Sequence, residues 1–585
     1  MTRRHLALFA ALCALALTAP ATAPAQEHDH DHDHEHDHAP VAAPQLNFLG
    51  DENRALCESL TMQDFRGRMK PLDTQAREIS MKITKRESFE GWEPMDLYMS
   101  WLTNPEFWFE YPVLAVRFPG LKSLLGVSPE TRWVSASSLL NGNQYVLAEP
   151  VREALRTPDR DRTKLQRQLL LFDERFNIFW DALNGGSLRL YPIAGDPAHT
   201  WTDFNGVLEQ PASAWADRSR EAMDRLMSGL RAGDQPRIRA GLEATSALQH
   251  QYGAAVLPSA GALKAELWLN KAHPFRNVTM TYLAAFAVLL FAFFWSLARR
   301  GGQPYPSRHP LYLAGMALFV GSLLFHLAAY VLRWVASGRA PLSNGYESLI
   351  FIALATAIAG LIFESRDRRG SSAGVSALLT TVILAVAMLS TFDPAIGPLV
   401  PVLASYWLNI HVTVITGSYG FLGLGSLLGG LNLILFLLKN PRRPQVREAI
   451  LKLDRLLFRV LVTGVGLLSI GTLLGGVWAN ESWGRYWGWD PKETWSLVTI
   501  LVYATVLHFR WIPVMNRPWV LATGGFAGIA SVVMTYFGVN YFLSGLHSYA
   551  QGDAIAVPSW VYIGTLLMLG LIVASYLSDR FRRWE

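Results

Sequence analysis

The sequence predicts an all-α polytopic membrane protein, with about nine transmembrane helices behind an exported, mainly helical N-terminal domain. Three observations carry this expectation. Apolar runs long enough to cross a bilayer recur from Val278 onward. The short loops between them alternate between basic and nearly charge-free. The first residues have the layout of a secretory signal.

At 585 residues the chain can hold two or more domains. It is 51% hydrophobic and only 17% charged, and the apolar excess lies after residue 275. The net charge of +5 does not indicate a nucleic-acid partner, because the bases of the apolar half sit mainly in short loops.

Residues 1–25 read as a signal peptide. Arg3 and Arg4 form its positive start, residues 6–17 its apolar stretch, and Ala23-Pro24-Ala25 its small-residue cleavage site. Residues 26–44 include a tract of alternating acid and imidazole at 27–38, too polar to bury a core and predicted to be disordered. Its six histidines could chelate Zn²⁺, Cu²⁺ or Ni²⁺ loosely, but the tract reads as a solvated tail.

Residues 45–275 read as a soluble periplasmic domain. Amphipathic spacing, as in Ala222, Leu226 and Leu230, predicts helix within 209–250 and again over 164–183. Residues 63–68 followed by Pro71-Leu72-Asp73-Thr74 read as a turn entering a helix. With Cys13 in the signal, Cys57 is the lone cysteine, which excludes an internal disulfide or CxxC pair and reads as an inert thiol.

Nine spans are expected at about 278–297, 311–335, 346–363, 374–392, 407–438, 456–478, 494–509, 518–542 and 557–577, with a cytoplasmic tail at 578–585. If the N-terminal domain is outside, the inner loops and tail carry seventeen Lys/Arg. The outer loops carry only Arg339, Arg485 and Lys492. That bias is what the positive-inside rule requires, and it agrees with the signal. The expected location is the bacterial inner membrane.

Residues 478–495, between the sixth and seventh spans, hold five tryptophans together with Asp490 and Glu493. An ordinary loop needs one interfacial Trp; this one offers a platform for something flat and apolar, held by stacking on the outer face. Of the histidines after residue 300, His309 reads as a solvated loop residue. His411 begins the fifth span and His547 lies in the loop after the eighth, on the same outer face as the tryptophans. His326 is near the middle of the second span and His508 near the inner end of the seventh. A buried imidazole bonded to a backbone carbonyl explains one intramembrane His, but not four arranged as two outer and two inner.

Haem iron accepts two neutral imidazoles, and haem needs a flat apolar surface. Trp483, Trp487, Trp489 and Trp495 supply aromatic faces, and Arg485 or Lys492 could meet propionates. Asp490 and Glu493 are candidates for the same cofactor-binding set, and they also resemble a helix start, with acids at the positive end of the seventh helix dipole.

At these residues the chain resembles the haem-handling cytochrome c maturation proteins with a Trp-rich WWD domain. The matching residues are W-G-R-Y-W-G-W-D-P-K-E-T-W at 483–495, R-W-V-A-S-G-R-A-P-L-S-N-G-Y-E-S at 333–348, His411 with Ser418-Tyr419-Gly420, L-H-F-R around His508 and L-H-S-Y around His547. Similarity is greatest to the CcsA-type subunit of the system II cytochrome c synthase, over roughly 310–575. The resemblance implies that haem b enters from the cytoplasmic side through intramembrane His ligands. It is then held at the WWD site by two more histidines, and the CxxCH thiols of apocytochrome c add to its vinyl groups. Carried over by motif, His411 and His547 are the external ligands and His508 an intramembrane one, with His326 the candidate for the other. The resemblance also implies a CcsB/ResB-type membrane partner. The lack of a CxxC pair calls for an external thiol-reducing protein.

Two further readings stand beside this. A system I-type module would hand haem to a haem chaperone. A metal-ion transporter would use the His-rich tail as a collector; it leaves the tryptophans unexplained and calls for carboxylates inside the spans, which are nearly absent. A ligand-free scaffold does not account for the paired histidines.

Overall fold

The computed structural model describes residue 44 and residues 46–581, apart from 143, 299–308, 390–391, 400–402, 544, 546–556 and 558. The signal, the His-rich tract at 27–38 and His547 lie outside the described residues. Helix dominates; the strands form only short two-stranded antiparallel ribbons. Two hydrophobic cores are present, one built from residues between Leu49 and Leu248 and one from residues between Phe275 and Val532.

In the first core, the helix Lys164–Leu183 starts at a reciprocal cap between Thr163 and Gln166 and buries Leu169, Phe172, Phe176 and Phe179 at helical spacing. Edge-on contacts join Phe179 to Trp101 and Trp101 to Trp108. The predicted helix at 209–250 is a hairpin, Ala214–Ala232 and Gln235–Tyr252. It turns at Gly233, whose φ of 67° suits glycine, and Asp234 caps the second helix. The turn before residue 71 is a ribbon, Thr61–Gln63 against Met69–Pro71, which feeds the helix Leu72–Thr84. Cys57 is buried, and burial pushes its thiol well above the usual range, which disfavours the thiolate.

The helix Ala260–Ala272 joins this core to the second. It packs against the second membrane helix, with Trp268 edge-on to Phe325, and its Glu266 accepts from Arg68 at 2.6 Å and Thr74 at 2.8 Å.

Nine helices stand at the nine apolar runs. They are α1 (Pro274–Ala298), α2 (Pro310–Ser337), α3 (Gly345–Asp367), α4 (Ser371–Ala387), α5 (Tyr406–Leu437), α6 (Pro444–Trp483), α7 (Pro491–His508), α8 (Pro518–Phe542) and α9 (Ser559–Phe581). Among the described residues seven are long and apolar enough to cross a membrane; α4 and α7 are not in that set. The 17 residues of α4 rise about 26 Å. The polar first turn of α7, with Lys492 and Glu493, dilutes its apolar run. Helix α6 begins twelve residues before the predicted span, because the basic stretch after Pro444 continues the same helix. His309 is not merely solvated: its side chain caps α2 by accepting from the Leu311 N–H at 3.2 Å.

Helix α5 is the most enclosed of the seven, packed on α3, α4, α6, α8 and α9. Its glycines let neighbours approach closely; a Cβ on Gly429 would stand 2.6 Å from the Ala522 carbonyl oxygen of α8. At one end of the bundle Arg333 of α2 donates to Glu347 of α3 at 3.0 Å and to the Pro394 carbonyl at 2.9 Å. Glu347 also accepts from the Ser343 backbone and hydroxyl. Glu364, at the other end of α3, accepts from the backbone N–H groups of Gly370, Ser372 and Ala373. Both carboxylates are thus committed to joining helices.

Glu347→Ala leaves the Arg333 guanidinium buried without its carboxylate. The expected cost is about 3–5 kcal/mol, read as a large fall in the unfolding temperature of the detergent-solubilised protein. An unchanged transition would show that the pair does not hold α2 to α3.

Candidate functional site

The Trp-rich segment is shorter as a loop than the sequence suggests. Nothing between Trp478 and Trp483 breaks a helix, so α6 runs through both and ends at Gly484, whose φ is 71°. Helix α7 begins at Pro491. Only residues 484–490 connect the two. Trp478, which is buried, and Trp483 therefore belong to the end of α6, Trp487 and Trp489 to the connection, and Trp495 to the second turn of α7.

The two acids hold this connection. Asp490 caps α7 by accepting from the Lys492 N–H at 3.0 Å. Glu493 reaches back to the N–H groups of Gly488 at 2.7 Å and Asp490 at 3.2 Å. Trp489, between them, adopts a φ of 56°, uncommon for a non-glycine residue. Its side chain is 70% exposed and meets Trp487 edge-on at 5.7 Å. The half-buried Lys492 ammonium donates to Asn540 at 2.9 Å. Thr535, in the π-helical turn Met534–Gly538 of α8, donates to the Trp495 carbonyl at 3.1 Å. Lys492 is thereby engaged with protein, while Arg485 packs its guanidinium over Gly488, where any side chain would overlap it.

His411 lies near the start of α5, beside the end of α6. Its Nδ1 is 2.7 Å from the Gly471 carbonyl oxygen, and its ring lies within 6° of parallel to Trp478 at 6.3 Å. A carbonyl only accepts, so Nδ1 carries the hydrogen and Nε2 the lone pair of the neutral ring. The ring fills the space above Gly475, where a Cβ would stand 2.6 Å from Cε1. Trp478 meets Trp483 edge-on at 4.8 Å, and Tyr406 and Trp407 open the surface beside them. An imidazole held at Nδ1 by a main-chain carbonyl, with the Trp478 ring parallel to it, fits a planar iron-bearing ligand such as haem.

His508 repeats the tautomer lock with its own helix. Its Nδ1 is 2.6 Å from the Ala504 carbonyl, and the exposed ring meets Trp511 edge-on at 4.5 Å. His326 differs. Its ring is wholly buried, edge-on to Phe275 and Tyr282 of α1 and near the Ile350 backbone of α3, and neither nitrogen makes a hydrogen bond of ordinary geometry. The structure brings His411 together with Trp478 and Trp483. It gives His326 and His508 no neighbour in common among their described ring and hydrogen-bond contacts.

Sequence reasoning missed Gly471, Gly475 and the stacking role of Trp478. The available signal was the spacing of Gly464, Gly471 and Gly475, which puts all three on one face of α6. It also missed Asn540 and Thr535, whose partners are about forty or more residues away.

Residues 342–547 match the family model described as cytochrome C assembly protein. The chain is 37% identical to Protein NrfI of Wolinella succinogenes, over 85% of this chain and 54% of that one, so it spans about half the length of that relative. It is 41% identical to the cytochrome c biogenesis protein CcsA of Chlamydomonas reinhardtii, over 39% of this chain and 66% of that one. It is 35% identical to the CcsA of Synechococcus sp. strain CC9902, over 47% of this chain and 97% of that one. A multi-pass membrane protein with these helices and this match belongs to the CcsA family of cytochrome c biogenesis proteins.

Proposed function

We propose that this chain is the haem-handling component of a cytochrome c synthase. It takes haem b across the bacterial inner membrane and holds it at an outer site formed by His411, His547 and the tryptophans at 478–495. There the CxxCH thiols of apocytochrome c form thioethers with the haem vinyl groups.

The observation that carries this reading is the anchoring of His411. Its Nδ1–H is held by the Gly471 carbonyl and its ring is parallel to Trp478, a tautomer in which Nε2 carries the lone pair that binds iron. Ligation by two neutral histidines occupies both axial positions while haem waits outside the cytoplasm. One ligand leaves on transfer, because the CxxCH histidine replaces it. His547 supplies the second external ligand by its L-H-S-Y motif.

The charge bias of the loops supports an outward-facing site with the N-terminal domain on the periplasmic side. The locked tautomer of His508 supports its role as an intramembrane ligand. His326 can serve as its counterpart only if α1 and α2 part around its enclosed ring. A CcsB/ResB-type partner is the other source of that ligand. A separate thiol-reducing protein keeps the CxxCH cysteines reduced.

Protein purified in detergent from haem-replete cells is expected to show a low-spin b-type reduced spectrum, altered or lost in His411→Ala. A colourless wild type would overturn the reading. Gly475→Leu keeps the imidazole but drives a side chain into its place, so it is expected to reproduce the His411→Ala spectrum. A wild-type spectrum in Gly475→Leu would show that the ring needs no such seat.

A further inference from the structure

A cleft of about 410 Å³ opens where the N-terminal domain meets the end of α2, away from the tryptophans. It is lined by Arg66 and Arg68 from the turn of the first ribbon, by Arg339 just past α2, and by residues around Ser259 and Gly397. Among the described residues no carboxylate lines it. Arg68 is paired with Glu266 behind the wall. Arg339 uses Nε and one terminal nitrogen on the Ser343 hydroxyl and the Gly397 carbonyl, which leaves its other terminal nitrogen with both hydrogens to donate. Among the described residues the exposed Arg66 guanidinium makes no hydrogen bond or ion pair. The cleft is therefore a cationic hollow with spare donors, of a size to take an anionic group.

What leads away from it identifies the anion. Leu324, Leu327, Val331, Trp334 and Val335 are large and exposed at i, i+3, i+7, i+10 and i+11, so they form one apolar stripe along α2 that ends at the cleft. A polar hollow at the top of an apolar stripe matches a molecule with a charged head and hydrocarbon tails.

We propose that this cleft binds the phosphate headgroup of an anionic phospholipid, with Arg66, Arg68 and Arg339 around the phosphate and the acyl chains along α2. The lipid fills the gap between the N-terminal domain and the bundle, and so fixes how the domain sits on the membrane.

The test titrates full-length protein in a phosphate-free non-ionic detergent with phosphatidylglycerol, and separately with inorganic phosphate, by native mass spectrometry. One saturable phosphatidylglycerol is expected. Arg66→Ala and Arg339→Ala should each weaken it about fivefold, with phosphate competing only at far higher concentration. Should Arg339→Ala fail to fold, Arg66→Ala decides alone, because Arg66 holds nothing together. Wild-type affinity in Arg66→Ala would overturn the site. Phosphate displacing the lipid at equal concentration would assign the cleft to a free anion and overturn lipid occupancy.

Discussion

The close approach of α5 and α6 is the constraint on which the outer site depends. A Cβ on Gly464 would stand 2.7 Å from Leu422, one on Gly471 3.0 Å from the Ile415 backbone, and one on Gly475 2.6 Å from the His411 ring. In a bilayer, where apolar burial between helices gains little, such small-residue seams let backbones meet. Here the seam has a chemical consequence. It brings a main-chain carbonyl of α6 within hydrogen-bond distance of a side chain of α5 and so selects the tautomer of that side chain.

The Trp-rich connection is organised by the same economy of backbone groups. Leaving α6 and entering α7 within seven residues exposes the free N–H groups of a new helix. Asp490 and Glu493 satisfy these, and Trp489 accepts a left-handed backbone to make the turn. The acids of the motif are thus engaged in holding the connection, and the Trp489 ring stands exposed between them. Thr535, in the π-helical turn of α8, and Asn540, in the helical turn after it, bond to Trp495 and Lys492 at the start of α7. The connection rests on side chains from the start of α7 and from α8.

Much of this was legible in the sequence because the bilayer imposes a one-dimensional rule. Nine apolar runs became nine helices, and Asp490-Pro491 with Glu493 read correctly as a helix start. What the sequence hid was non-local. The partner of His411 is 60 residues away and is a backbone atom, so no residue type announces it. The segment at 478–495 read as one loop because tryptophans mark interfaces, whereas Ala479-Asn480-Glu481-Ser482 simply continues α6. His326 and His508 looked equivalent as intramembrane ionisable residues. Packing separates them: one is enclosed by Phe275 and Tyr282, the other exposed beside Trp511.

The central claim is that α5 presents the His411 imidazole, anchored by the Gly471 carbonyl of α6, to haem iron through Nε2. It is tested most directly by adding imidazole to purified His411→Gly protein while recording its reduced absorption spectrum. The seat between Gly475, Trp478 and the Gly471 carbonyl would accept free imidazole in the lost side chain's place, so the low-spin b-type spectrum should return in a saturable way. A His411→Gly protein whose spectrum already equals wild type, or one that imidazole leaves unchanged, would contradict the account.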